Sequence, residues 1–141
     1  MCVGASPSGD RAASLDLRPM FASLIGSSCS IPPDVLAAYP ELRVVRWRQG
    51  GLALRVGGWC LGLPTVAAIT LWDTIWLADP HAADPELLLH ELRHVHQFQG
   101  DRAFPLRYLW RTLRDGYWNN PYEVDARRYA KGRVAAAPPT G

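Results

Sequence analysis

Cysteine is scarce in this 141-residue chain: there are three, Cys2, Cys29 and Cys60. An odd number cannot pair fully within one chain, and none stands in the CxxC spacing of a thiolate metal site. A disulfide framework and a thiolate-held metal are therefore excluded, and free thiols in a reducing compartment are expected, Cys60 as a buried inert one. Long apolar runs are missing too. No basic stretch leads into one at the N-terminus, where "FASLIGSSC" comes nearest and is too short, so no secretory signal is expected. The most apolar stretch, Trp59 to Leu77, is interrupted by Pro64, Thr65, Thr70, Asp73 and Thr74, and its β-branched pairs read as strands rather than a transmembrane segment. A surplus of one charge sign is also lacking. The net charge of +2 is too small to argue for nucleic acid. No internal repeat is present, and a cytoplasmic protein is expected.

What is present is an ordinary globular composition, 48% hydrophobic and 20% charged, in a length that suits one domain with one core. Six tryptophans and five tyrosines point to a large aromatic core or an aromatic cleft. Residues 1–30 are rich in Ser, Ala and Gly and read as a flexible arm. "PPDVLAAYPEL" predicts a short helix opened at Pro33–Asp34 and closed near Pro40. "LRVVRWR", Leu42 to Arg48, alternates as a strand does, and a further strand is expected at Leu52 to Val56 among glycine turns. "VAAITL" and "TIWLA" read as two short strands around a turn at Trp72–Asp73. The period then becomes helical. "ADPELLLHELRHVHQF" opens with Asp84 as N-cap and Pro85 at the first helical position. "PLRYLWRTLRDG" ends at Gly116, and "NPYEVDARRYAKG" runs from Asn120–Pro121 to Gly132. Residues 133–141 read as a disordered tail. Strands first and helices later is the α+β pattern, with residues 31–132 as the folded domain.

His90, Glu91 and His94 spell H-E-x-x-H. On a helix the two histidines lie on one face, roughly 40° apart around the axis, where both imidazoles can bind one zinc ion. Glu91 stands beside them, placed to take a proton from a zinc-bound water. His96 falls on another side of the helix and is expected at the surface or behind the ligands. A bare HExxH arises by chance in roughly a few per thousand chains of this length, so its surroundings carry the weight. Leu87, Leu88, Leu89, Leu92 and Val95 make the helix a central one, and polar groups buried there without partners would be costly unless a metal satisfied them. A catalytic zinc takes three protein ligands and leaves one position open. The metzincin pattern needs Gly at 97 and His at 100, where this chain has Gln97 and Gly100. Another common arrangement takes a glutamate from a later helix, for which "NPYEVDARRYA" offers Glu123, with Asp125 as competitor. The competing role for Glu123 is a capping box with Asn120, three residues before it.

These residues resemble the gluzincins, zinc peptidases with HExxH and a downstream glutamate ligand. More narrowly they are similar to the minigluzincins and to small bacterial domains whose metal helix reads H-E-L-x-H-V-x-Q, here His90 to Gln97. In those families a helix opening N/D-P-x-E-x-x-A brings the third ligand, which matches Asn120 to Ala126 and implies Glu123. The resemblance spans residues 42–131 and implies a small zincin-like α+β domain, with a short antiparallel or mixed sheet, a central HExxH helix and a C-terminal ligand helix. It implies one Zn²⁺ per chain, held by His90, His94 and Glu123, with Glu91 as general base in peptide-bond hydrolysis. "AITLWDTIWLADP" then corresponds to the strand pair above the cleft, along which a peptide would lie. The chain departs from the pattern at Arg127, where many gluzincins have an aspartate that orients a zinc-bound histidine. Asp125 or another group must then take that part, with Arg127 beside it. Tyr117, Tyr122 and Tyr129 are candidate oxyanion donors. Leu106, Leu109, Trp110, Leu113 and Tyr117 form an apolar stripe expected to pack on the core, and Arg107, Arg111 and Arg114 form a basic one that would meet an acidic partner or a membrane surface. The alternative to an active or latent peptidase is a zinc-stabilised interaction domain of little or no activity.

Overall fold

The computed structural model describes residues 24–60 and 62–137. Two residues, Ser27–Ser28 (β1), pair antiparallel with Arg46–Gln49 (β2). A short helix, Pro33–Ala38 (α1), and a 3₁₀ turn, Pro40–Val44, lie between them. Helix α2, Leu52–Cys60, leads to the hairpin of β3, Ala68–Leu71, and β4, Thr74–Leu77. Three helices complete the chain: α3, Pro85–Gly100; α4, Phe104–Asp115; and α5, Pro121–Ala136. The sheet is mixed, in the order β1-β2-β4-β3, with β2 and β4 parallel and β3 and β4 antiparallel. This is the expected α+β arrangement of a sheet followed by a central helix and a C-terminal one.

The core forms where the sheet meets α3. Ile75 and Leu77 of β4 are fully buried with Leu88, Leu89 and Leu92 of α3, joined by Leu42 and Trp47. The β-branched and aromatic residues of "TIWL" suit a pleated central strand. Asp84 caps α3, its carboxylate accepting from Leu87 N at 2.7 Å, and Pro85 stands at the first helical position. Helix α5 packs on α3 through Ala126 and Ala130, both fully buried, whose small side chains allow a close approach.

The strand expected from Leu42 starts only at Arg46, because Pro40 opens the 3₁₀ turn and the Trp47 indole donates to Leu42 O at 3.0 Å, fixing the corner. The stretch Leu52 to Val56 is helical rather than a strand: Leu, Ala, Leu and Arg favour a helix. The following glycines do not turn the chain; a Cβ at Gly58 would sit 2.5 Å from the Thr65 backbone, so this helix needs glycine for close approach. Helix α5 continues through Gly132 to Ala136, and its last turn is fastened by Arg133, which donates to Glu41 at 2.6 and 2.8 Å. The apolar stripe of α4 does not pack on the core. Leu106, Leu109, Trp110 and Leu113 are 75%, 55%, 61% and 74% exposed, and the helix instead turns Phe104, Tyr108 and Thr112 inward.

Cys60 is exposed rather than buried, Cys29 is partly buried, and both are free thiols. Cys2 lies outside the described residues, as do most of the expected arm and the last four residues of the expected tail. No described helix is long and apolar enough to cross a membrane.

Candidate metal centre

His90 and His94, one turn apart on α3, project toward the first turn of α5, where Glu123 is 98% buried. His90 Nε2 lies 3.2 Å from His94 Nε2 and 3.2 Å from Glu123 Oε2, and His94 Nε2 lies 3.1 Å from Glu123 Oε1. Three lone-pair atoms on three side chains thus converge. Two imidazole nitrogens and a carboxylate at ~2.0–2.1 Å from a tetrahedral zinc would stand ~3.3 Å apart, the edge of that tetrahedron. The Nε2–Nε2 spacing matches it, and each imidazole lies at about that distance from one of the two Glu123 oxygens. Glu123 Oε2 is buried without a hydrogen bond, although His90 Nε2 and Arg127 Nη1 lie 3.2 and 3.6 Å away. An orphaned carboxylate oxygen in a dry site is costly, and a cation held among these atoms removes the cost. The residues present therefore fit one zinc ion.

Glu123 is not spent on capping. Asn120 caps α5 with its own side chain, accepting from Tyr122 N at 3.0 Å, while its amide donates to Tyr108 O and Thr112 Oγ1 at 3.2 and 2.8 Å. This fully buried asparagine joins α4 to α5 and leaves Glu123 free to face the histidines. Burial by itself would raise the Glu123 pKa, but contacts with His90, His94 and Tyr108 together bring it far below the usual carboxylate range. For His94, burial disfavours the charged ring, yet the hydrogen bond to Glu123 and the charges of Glu91 and Glu123 outweigh it and raise the pKa.

The orienting group missing at Arg127 is supplied by Gln97. Its Oε1 lies 2.8 Å from His94 Nδ1, while its Nε2 donates to Tyr122 O at 3.1 Å and Asp125 Oδ2 at 2.9 Å. Both those partners are acceptors, which fixes the amide's orientation. An acceptor on Nδ1 puts the ring proton there and leaves the Nε2 lone pair facing Glu123 and His90. Asp125 is itself held by Arg93 at 2.7 Å, so a chain of contacts runs from α3 to α5 and back to the ligand. Arg127 approaches Glu123 from the outside and donates to Trp118 O. Gln97 stands in the sequence as the last residue of the H-E-L-x-H-V-x-Q pattern and as a mismatch to the metzincin glycine, with no orienting role attached to it.

Glu91, close enough for its charge to act on His94, is held from the side of β3. Thr70 Oγ1 donates to Glu91 Oε2 at 2.6 Å, and both residues are buried. Sequence reasoning had treated Thr70 only as a polar break in an apolar run. Of the three expected oxyanion donors, Tyr117 lies near Glu123, and burial together with that carboxylate's charge raises its hydroxyl pKa. Tyr122 offers its backbone carbonyl to Gln97 and packs its ring on Phe104. Tyr129 stands beside Arg93 and His96, on the far side of the helix pair. The tyrosine that touches the triad is Tyr108, not among those expected; its hydroxyl donates to Glu123 Oε1 at 2.7 Å. Burial and the Glu123 charge keep that hydroxyl protonated well above its ordinary range. Phe104, Tyr108 and Tyr122 form an aromatic wall against His94. The aromatic richness thus shows here, whereas Trp59, Trp72, Trp110 and Trp118 are exposed.

No family model, curated protein or solved structure matches this chain. The geometry stands by itself: partly buried His90 and buried His94 of an H-E-x-x-H helix converge with Glu123 on a site that could hold one metal ion, consistent with a small gluzincin-like zinc metallopeptidase domain.

Proposed function

We propose that this chain hydrolyses peptide bonds, with Glu91 as the general base. The observation that carries this reading is the position of Glu91: a buried carboxylate next to the ligand pair, pinned by Thr70 through one oxygen. A purely structural metal site has no use for it. Bound zinc would acidify a water and polarise the substrate carbonyl. Among the described residues no hydrogen bond reaches Glu91 Oε1, which leaves that oxygen free to accept a proton from the attacking water and pass it to the leaving amine. Tyr108 and Tyr117 hold or flank Glu123, and Tyr117, on the loop before α5, is the donor we place nearest the developing oxyanion.

The substrate we infer is an extended peptide along β3. This strand is an edge of the sheet among the described residues. Ala78 N donates to Ala67 O, so in the alternating antiparallel ladder Ala68 and Thr70 turn their backbone groups outward. A peptide added there by β-pairing passes directly beside Glu91. The free thiols of Cys29 and Cys60 support a cytoplasmic setting.

Elemental analysis of protein purified without added metal, wild type against Glu123→Ala, tests the metal. One zinc per chain, lost in the variant, is expected. Cleavage of a quenched-fluorescence peptide library by wild type and Glu91→Gln tests the reaction. A zinc-loaded wild type that cleaves nothing would assign the site to a zinc-stabilised interaction domain.

A further inference from the structure

Helix α4 has two unlike apolar faces. At ~100° per residue, Phe104, Tyr108 and Thr112 share the inner arc, and Leu106, Leu109, Trp110 and Leu113 fall on the opposite one. The outer arc is exposed, and Trp118, just beyond the helix, is 73% exposed as well. Its polar border carries a net basic charge. Between Arg102 and Asn119 no exposed residue is acidic, whereas Arg102, Arg107 and Arg114 are exposed and Arg111 is half-buried. Asp101 and Asp115 are half-buried and pair with Arg107, Arg111 and Arg114, which leaves four arginines against two carboxylates.

We propose that the outer face of α4 docks on an anionic lipid bilayer. A convex apolar stripe with tryptophan and flanking arginines is what a helix lying in the headgroup plane presents. Two exposed tryptophans suit the interface, where an apolar ring and a polar N–H are both satisfied. The arginine surplus supplies charge complementarity to anionic headgroups, each basic group near such a surface strengthening partition about fivefold. Tyr108, on the inner arc, touches Glu123. Docking would therefore hold the triad about one helix diameter, roughly 10 Å, from the headgroups, close to polypeptide emerging from the membrane surface. This surface exists whether or not the site binds zinc.

The test is co-sedimentation of the full chain with phosphatidylcholine vesicles, with and without phosphatidylglycerol, at low and physiological salt. Binding to the anionic vesicles is expected, weakening with salt. Leu106→Ser/Trp110→Ser/Leu113→Ser and, separately, Arg107→Gln/Arg111→Gln/Arg114→Gln should each lower it at least tenfold, with circular dichroism and zinc content unchanged. Tryptophan emission should shift to the blue on binding, less so in Trp110→Phe. No binding by the wild type, or equal binding by the serine variant, overturns the proposal. Sedimentation velocity gives the remaining outcome: a wild-type dimer that the serine variant turns into a monomer would mean that a second copy of this chain covers the face.

Discussion

Helices α3 and α4 are neighbours in sequence and carry the same kind of signal, apolar residues at helical spacing, but they use it in opposite ways. Helix α3 buries its leucines against the sheet and turns histidines toward α5. Helix α4 leaves its leucines in solvent and buries a mixed aromatic and polar arc, Phe104, Tyr108 and Thr112, which reaches Asn120 and Glu123. Periodicity says that a helix has a face; the neighbours decide which face is covered. In α4 the inward arc carries the hydrogen bonds to Asn120 and Glu123, buried groups that would be costly to leave unpaired.

Glu91→Gln should lower kcat by about 10²–10⁴ while zinc content, measured by elemental analysis, stays at one per chain. Equal activity would make the polar groups of α3 structural. Stability sharpens the contrast next. Leu92→Ala in α3 should cost about 2–5 kcal/mol by urea unfolding, and Leu113→Ala in α4 should stay within about 0.5 kcal/mol. Similar values for the two would show that the outer face of α4 is covered in solution. Gln97→Ala tests the contact chain behind His94: zinc affinity should fall about 10–100-fold, read by competition with a chelating dye. An unchanged affinity would mean that His94 needs no orienting partner.

The smallest effect is the pH dependence of the metal's contribution. In the metal-free chain the raised His94 pKa means stabilisation that is fully present below the unfolded value, about 6.5, and is lost as pH rises through the folded one. Zinc needs the neutral ring, so its contribution grows with pH by about 1.4 kcal/mol per unit for each proton displaced. Thermal melts with and without chelator should converge toward acid pH and separate toward alkaline pH. Curves that stay parallel would exclude a histidine-held metal.

Much of the site could be read along the chain because its parts are local. His90, Glu91 and His94 occupy one turn, and Asn120–Pro121 marks the start of the helix that brings Glu123. The hairpin around Trp72–Asp73 was likewise local. The misreadings came where a distant partner overrode local habit. Glycines in Leu52–Cys60 suggested turns, but Gly58 serves the approach of the Thr65 backbone. Gly132 looked like a helix end until Arg133 found Glu41, 92 residues away. Tyr108 and Thr70 carried no spacing signal at all, since each acts on a residue 15 or 21 positions off.

Local spacing was enough to place two imidazoles at i and i+4 with a candidate base beside the first, because helical geometry does so without outside help. It also determined the α+β order of elements. Long-range packing settled the rest: Glu123 rather than Asp125 faces the histidines, Gln97 contacts His94, and α4 shows its oily side to solvent. Those outcomes depend on which helix faces meet, and that is set by close packing at Ala126 and Ala130 and by the need to satisfy every buried polar group.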